Sequence, residues 1–403
     1  MRRTGGPIED NQRLAWIDAA RGLAILGIFM VNVPAFNAPF FLYGGEEQYW
    51  SLPVDHAVQT IIDIFFQASF YTLFSFLFGF GFQLMRERLE AKQLNVHYIL
   101  LRRMMVLIGF GLIHSFLIWH GDILLSYGLI GLLLFFFYRR KNSTLISWSI
   151  AMLIIPALLL TGLYYLVRDQ LDNLAQNTSR QVNQSFANYG NGSLLDIWQQ
   201  NAGDWLYANG GITYLFLICN LLPLFLLGIY TARKKWLYHV GKHKRLLAKA
   251  WIVTGLLFML VKAGPYLIGN PMWLGSLQDI IGGSSSALFY LLSLTLAFQQ
   301  TALRKLLEPL TSVGRMSLTN YLLQSIICFF LFYSVGFGFY GSIRPIHSAI
   351  LVLVIFSLQV ILSKWWFQHY RFGPVEWLWR SLTYGRRQSF KKANERSGFP
   401  GRK

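Results

Sequence analysis

Charged residues are scarce in this chain: they fill 13% of 403 positions, whereas hydrophobic residues fill 54%. The charged share is about half that of a soluble domain, which excludes an ordinary water-soluble globule because too few polar side chains remain to cover its surface. Acidic residues are scarcer still, 18 against 36 Lys and Arg, for a net charge of +18. Such an excess can signal nucleic acid. Here the basic residues are dispersed between apolar runs instead of gathered on one polar domain, so no nucleic-acid partner is expected. Cysteine is nearly absent; Cys219 and Cys328 lie far apart inside apolar runs, which excludes a disulfide scaffold. No compact ligand spacing suggests zinc or any other metal. A cleavable leader is not expected either, since the first apolar run carries Asp18 and Arg21 and no small-residue cleavage pattern follows.

What the chain has in quantity is apolar runs long enough to cross a hydrocarbon core of about 30 Å. They lie near residues 14–36, 57–85, 98–119, 122–138, 144–167, 210–230, 247–268, 276–298, 314–337 and 345–367. The expected fold is an all-α, polytopic integral membrane helix bundle with about ten transmembrane helices. Residues 1–370 form the membrane domain, with a long outer loop at 168–208, and residues 371–403 form a cytoplasmic interfacial helix and basic tail. Alternating the loops puts Arg2, Arg3 and Arg13, the Arg86–Lys92 and Arg139–Lys141 groups, the Arg233–Arg245 group, the loop with Arg304 and Lys305, and the C-terminal tail on one side. Only Arg168, Arg180 and Arg344 fall in outer loops, with Arg21 and Lys262 inside spans. The positive-inside rule then places both termini in the cytoplasm. In the outer loop, Trp198, Trp205 and Tyr207 suit the headgroup level, and in FGPVEWLWRSLTYG Pro374 starts a helix with Glu376 four residues before Arg380.

Ionisable residues inside spans are costly and therefore draw attention. On the inner side, Asp18 and Arg21 are three apart on one helical face that continues to Asn32, either as a self-neutralising pair or as part of a ligand site. Ala19, Ala20, Gly22, Ala24 and Gly27 give the same span a close-packing face. Ser317, Asn320 and Gln324 form a polar stripe on the ninth span, with Arg315 at its inner mouth and Arg102 and Arg103 at the inner end of the third. Interhelical glue and substrate contact both explain that stripe, and the cations suit phosphates as well as anchoring. On the outer side, His114 ends the third span and Asp122 opens the fourth after a tight WHGD turn. The pair is expected to line one polar cavity opening to the outer side, which Asp63 approaches if the pair is functional; Asp63 shares one face of span two with His56 and Gln67, and His120, Lys262 and Asp279 lie at similar depth. A His beside a carboxylate is what general-base catalysis or a proton relay needs; a buried network bracing helix ends uses the same residues.

Four ordered blocks, RLAWIDAARGLAILGIFMVN, GFGLIHSFLIWHGDILLSYGLIG, GRMSLTNYLLQSIICFFLFY and FGPVEWLWRSLTYG, resemble the bacterial inner-membrane YeiB family. That resemblance implies a bacterial cytoplasmic-membrane location. The opening block is also distantly similar to transmembrane acyltransferases of the heparan-α-glucosaminide N-acetyltransferase type, matching at Asp18, Arg21, Gly22 and Asn32. Those enzymes carry an acetyl group from cytoplasmic acetyl-CoA to an outer sugar amine. Their catalytic His follows the first span, where this chain has His56 without the surrounding Trp-Asn-Gly context. The similarity implies acyl-CoA or acetyl-CoA as donor and an envelope or sugar acceptor. In that reading His114, Asp122 and Asp63 are the catalytic candidates. Asp18, Arg21, Asn32, Arg103, Arg315, Asn320 and Gln324 are the substrate-binding ones. Arg103 and His114 would be about 16 Å apart on a shared face, a gap a thioester arm can bridge. A transporter using the same intramembrane ionisable residues, with helices broken at Gly264-Pro265 and Pro223, and a scaffold without chemistry are the alternatives.

Overall fold

A computed structural model describes residues 14–170 and 178–392. The arginines at 2, 3 and 13 and the tail beyond 392, used above for orientation, lie outside the described residues. Among the described residues the chain is helical without a strand. Eight helices are long and apolar enough to cross a membrane, nine if one sharply bent pair counts as a span, and a short apolar helix stands where the fourth span was expected. The protein is thus a polytopic helical membrane bundle whose apolar surface faces lipid.

Helix α1 (Ala15–Asn37) is the bundle's central strut, lying against α3 (Ser69–Ala91), α12 (Thr301–Arg315), α13 (Ser317–Phe332) and α14 (Pro345–His369). Its small residues explain how. A Cβ added at Gly22 would fall 2.1 Å from the Leu310 carbonyl oxygen, and one at Gly314 1.7 Å from that of Asp18, so α1 and α12 touch backbone to backbone. Asp18 and Arg21 consequently face protein, as the cost of placing charge in hydrocarbon requires.

Helix α2 (Pro53–Phe65) and α3 do not form one uninterrupted helix as the apolar run suggested. The chain breaks at residues 66–68, where Ala68 takes φ +59. Thr72 Oγ1 donates to the Ala68 carbonyl at 2.5 Å and lies 3.1 Å from the Gly283 carbonyl oxygen, absorbing polar groups the break exposes. Of His56, Asp63 and Gln67, the first two lie on α2 and Gln67 follows its end, yet all three line one outer cleft.

Helices α4 (Val96–Leu117) and α5 (Leu124–Phe137) form the hairpin across WHGD, and α6 (Asn142–Leu166) returns to the outer side. There α7 (Ser179–Asn191) and α8 (Leu194–Asn209) fold over the bundle, α8 starting in a Ser193/Asp196 capping box. Helix α9 (Ile212–Lys234) continues through Pro223 without breaking, contrary to the expectation at that position. The expected break at Gly264-Pro265 is present: α10 (Val240–Phe258) passes into a π-turn, Met259–Ala263, and a 3₁₀ turn, Gly264–Ile268. The next span mirrors it, entering α11 (Gly283–Ala297) through a π-turn at Gln278–Gly282.

The segment carrying Arg304 and Lys305 is not a loop. It is α12, which meets α13 at an angle of 76° around Met316. The last described helix, α15 (Pro374–Tyr384), docks on the inner ends of α4 and α13.

Candidate functional site

On the outer side, α2, the short Glu46–Tyr49 turn, the connection from Tyr266 to Gly275 and the π-turn at Gln278–Gly282 border a cleft of about 540 Å³. Its walls carry Glu46, Glu47, His56, Asp63 and Asp279. Lys262 lies beneath, wholly buried, with Nζ 3.2 Å from Asp279 Oδ1 and 3.5 Å from Asp63 Oδ1. Tyr266 donates to Asp63 Oδ2 at 2.6 Å. Each π-turn contributes one member of this network, because an extra residue in a helical turn re-aims the side chains that follow. A Cβ at Gly282 would meet Lys262 Cγ at 2.9 Å, so the aliphatic stem of the lysine crosses that glycine. Carboxylates outnumber cations here, giving the cleft a negative field.

His56 lines this cleft. Its Nε2 stands 2.7 Å from the Trp50 carbonyl oxygen, and since a carbonyl only accepts, Nε2 must carry the hydrogen. In the neutral ring Nδ1 then keeps its lone pair. Asp63 follows seven residues later, two turns along α2 on the same face. The start of α2 is fixed by Arg344, whose Nε donates to the buried Asp55 Oδ2 at 2.9 Å. Burial, and after it the charge of Glu47, holds the Glu46 carboxyl above its ordinary range.

His114 and Asp122 do pair across the hairpin, with Nδ1 and Oδ1 2.8 Å apart and both side chains buried. Asp122 Oδ2 also accepts from the Leu125 amide at 2.6 Å, so one carboxylate ends α4 and starts α5. The expectation that Asp63 shares a cavity with them is corrected: neither residue of the pair lines the outer cleft, and Asp63 belongs to the lysine network. In the WHGD turn Gly121 provides space for the Trp119 ring, which a Cβ would meet at 2.3 Å.

The inner candidates are largely engaged with protein. Arg21 Nη1 is 3.1 Å from Asp18 Oδ1. Asn320 Nδ2 donates to Ser363 at 3.1 Å, Gln324 Nε2 to Gln359 at 2.8 Å, and Gln359 returns a hydrogen bond to the Asn320 carbonyl at 3.0 Å. The polar stripe of α13 thus pairs with one on α14. Arg103 stacks 3.8 Å over Trp379 and Arg315 4.2 Å over Phe367. Asn32 is half-buried on α1 and does not line the outer cleft, although its neighbour Val31 does.

Two carboxylates were read too simply from sequence. Asp204, in the loop helix assigned to anchoring, is buried and accepts from Tyr43 at 2.6 Å, Tyr189 at 2.8 Å and Gln200 at 2.6 Å, tying α7 and α8 to the end of α1. The only hint was the turn spacing of Gln200 and Asp204. Glu376, four residues before Arg380, accepts from the Leu318 and Thr319 amides at 2.7 and 3.0 Å and from the Thr319 hydroxyl at 2.6 Å. It caps α13 from another helix, which no local pattern reveals.

Comparison with known proteins agrees with this architecture's reach along the whole chain. Residues 231–386 match the family described as Protein of unknown function (DUF418). The chain is 34% identical over 396 residues to Uncharacterized protein YxaH of Bacillus subtilis (strain 168), covering 94% of this chain and 96% of that protein. To Uncharacterized protein YeiB of Escherichia coli (strain K12) it is 29% identical over 394 residues, covering 92% and 96%. No solved structure matches. With the four sequence blocks now set in one bundle and near-complete coverage of these relatives, the chain belongs to the YeiB family.

Proposed function

We propose that the protein is a membrane-embedded acyltransferase-like protein of the bacterial inner membrane. In this reading it moves an acyl group from a cytoplasmic acyl-CoA, acetyl-CoA included, to a small hydroxyl- or amine-bearing envelope acceptor held in the outer cleft. The observation that supports this best is His56: a tautomer set by the Trp50 carbonyl leaves Nδ1 as a base in a cleft of substrate size. His56 takes the acceptor's proton as its oxygen or nitrogen attacks the thioester carbonyl. The C–S bond breaks, the acyl C–O or C–N bond remains, and the proton passes to the departing thiolate. Asp63 steadies the transient imidazolium, while the sealed His114–Asp122 pair holds the α4–α5 hairpin.

The test is purified protein in liposomes with radiolabelled acetyl-CoA and a cell-envelope sugar extract. Acceptor-dependent covalent labelling is expected, falling by about 10²-fold or more in His56→Asn. A second reading, coupled solute transport, is favoured by Lys262 and its two carboxylates at paired breaks in the spans. Solute flux across the liposome without any covalent product would replace the first reading by the second.

A further inference from the structure

The inner face carries a second cleft, of about 490 Å³, between the start of α4 and the end of α15. Three arginines, Arg102, Arg386 and Arg387, line it together with Trp377 and Ser381, and no carboxylate does. The acid closest in sequence, Glu376, is buried and committed to the α13 amides. The cleft is shallow and open to solvent, with an ordered rim. Gly385 ends α15 at φ +67, and a Cβ there would lie 2.6 Å from Arg102 Nη1, so the guanidinium rests on the helix cap. The rim is held by Trp377 Nε1 donating to the Gln388 carbonyl at 2.8 Å and the Gln388 amide donating to Ser381 Oγ at 3.2 Å.

What adjoins the cleft is apolar and open to lipid. Tyr98 and Met105 flank Arg102 one helical turn away on either side, exposed at 58% and 53%, and Leu378 and Leu382 form an exposed pair on α15, each at 41%. A cationic cleft beside exposed apolar side chains, on the side the charge pattern assigns to the cytoplasm, matches a ligand with a phosphate head and an apolar tail. We infer that this cleft binds the phosphate of an amphiphile through Arg102 and Arg387, either an anionic phospholipid of the inner leaflet or the phosphate end of an acyl-CoA. The site stands whether or not the protein transfers acyl groups.

Native mass spectrometry of the full-length protein, released from nanodiscs of mixed phosphatidylglycerol and phosphatidylcholine, tests it directly. Wild type is expected to retain phosphatidylglycerol over phosphatidylcholine at least fivefold, with the preference lost in Arg102→Gln and in Arg387→Gln and kept in Arg139→Gln, a basic position outside the cleft. Arg387 is exposed, so its variant keeps the test valid if Arg102→Gln fails to fold. Adding coenzyme A separates the two sources. Retained lipid alongside unbound coenzyme A identifies the phospholipid as occupant, whereas bound coenzyme A that displaces it and depends on the same arginines identifies the acyl donor. Equal lipid retention in wild type and both cleft variants, with coenzyme A binding absent or unaffected by them, would overturn the inference.

Discussion

Removing Lys262 should be far less harmful than removing the carboxylates that face it. At an effective dielectric constant of about 20, contacts of 3.2 and 3.5 Å correspond to roughly 5 kcal/mol of gross attraction each. The three groups differ sharply in exposure: the lysine side chain is 0% exposed, that of Asp63 33% and that of Asp279 40%. In Lys262→Met the part-exposed carboxylates turn to the water of the cleft, so screening reduces the loss to about 0–2 kcal/mol. In Asp63→Asn/Asp279→Asn the ammonium stays buried without a countercharge, which costs about 3–5 kcal/mol. Thermal unfolding of the purified proteins in one detergent should rank the double variant lowest, and adding Lys262→Met to it should restore much of the loss. A lysine variant as unstable as the double variant, or a triple variant without recovery, would refute the asymmetry.

Gly79→Ala should destabilise the α3–α9 contact by about 1–3 kcal/mol or more, because its Cβ would lie 2.0 Å from the Phe225 carbonyl oxygen. Gly109→Ala, with nothing within 4 Å, should be neutral or raise stability by about 0.5–1 kcal/mol; equal melting shifts for the two would contradict the packing. Burial raises the Glu46 pKa above 4.5, so the folded protein binds the extra proton and this group's contribution to stability falls as pH rises above that value. Glu46→Gln should therefore stabilise at pH 8 and match wild type near pH 4; a pH-independent offset would show that the carboxyl's ionisation is not involved. Glu376→Ala should cost about 1–3 kcal/mol and increase hydrogen exchange at the start of α13, with Glu376→Gln milder because an amide oxygen still accepts. Unchanged exchange in the alanine variant would argue against the cap.

Hydropathy and charge made the class of fold legible, since lipid imposes one requirement on every span: apolar side chains outside and backbone hydrogen bonds satisfied within the segment. The small face of α1 announced its central place, because only small residues permit the backbone approach seen at Gly22 and Gly314. The His114–Asp122 pair was readable from a turn too short to separate them. The site required more. Glu46, His56 and Asp63 come from one end of the chain and Lys262, Tyr266 and Asp279 from far along it, so their meeting depends on helix crossings that periodicity does not encode. Nor did sequence show that Asp63 would turn to Lys262 and away from His114, that Glu376 would reach the start of α13, or that Asn320 and Gln324 would find partners on α14. Local sequence determined which segments enter the membrane, because lipid acts on each segment separately. Tertiary structure decided which polar groups meet inside it, because a buried charge or amide takes its partner from whichever helix packing brings within reach.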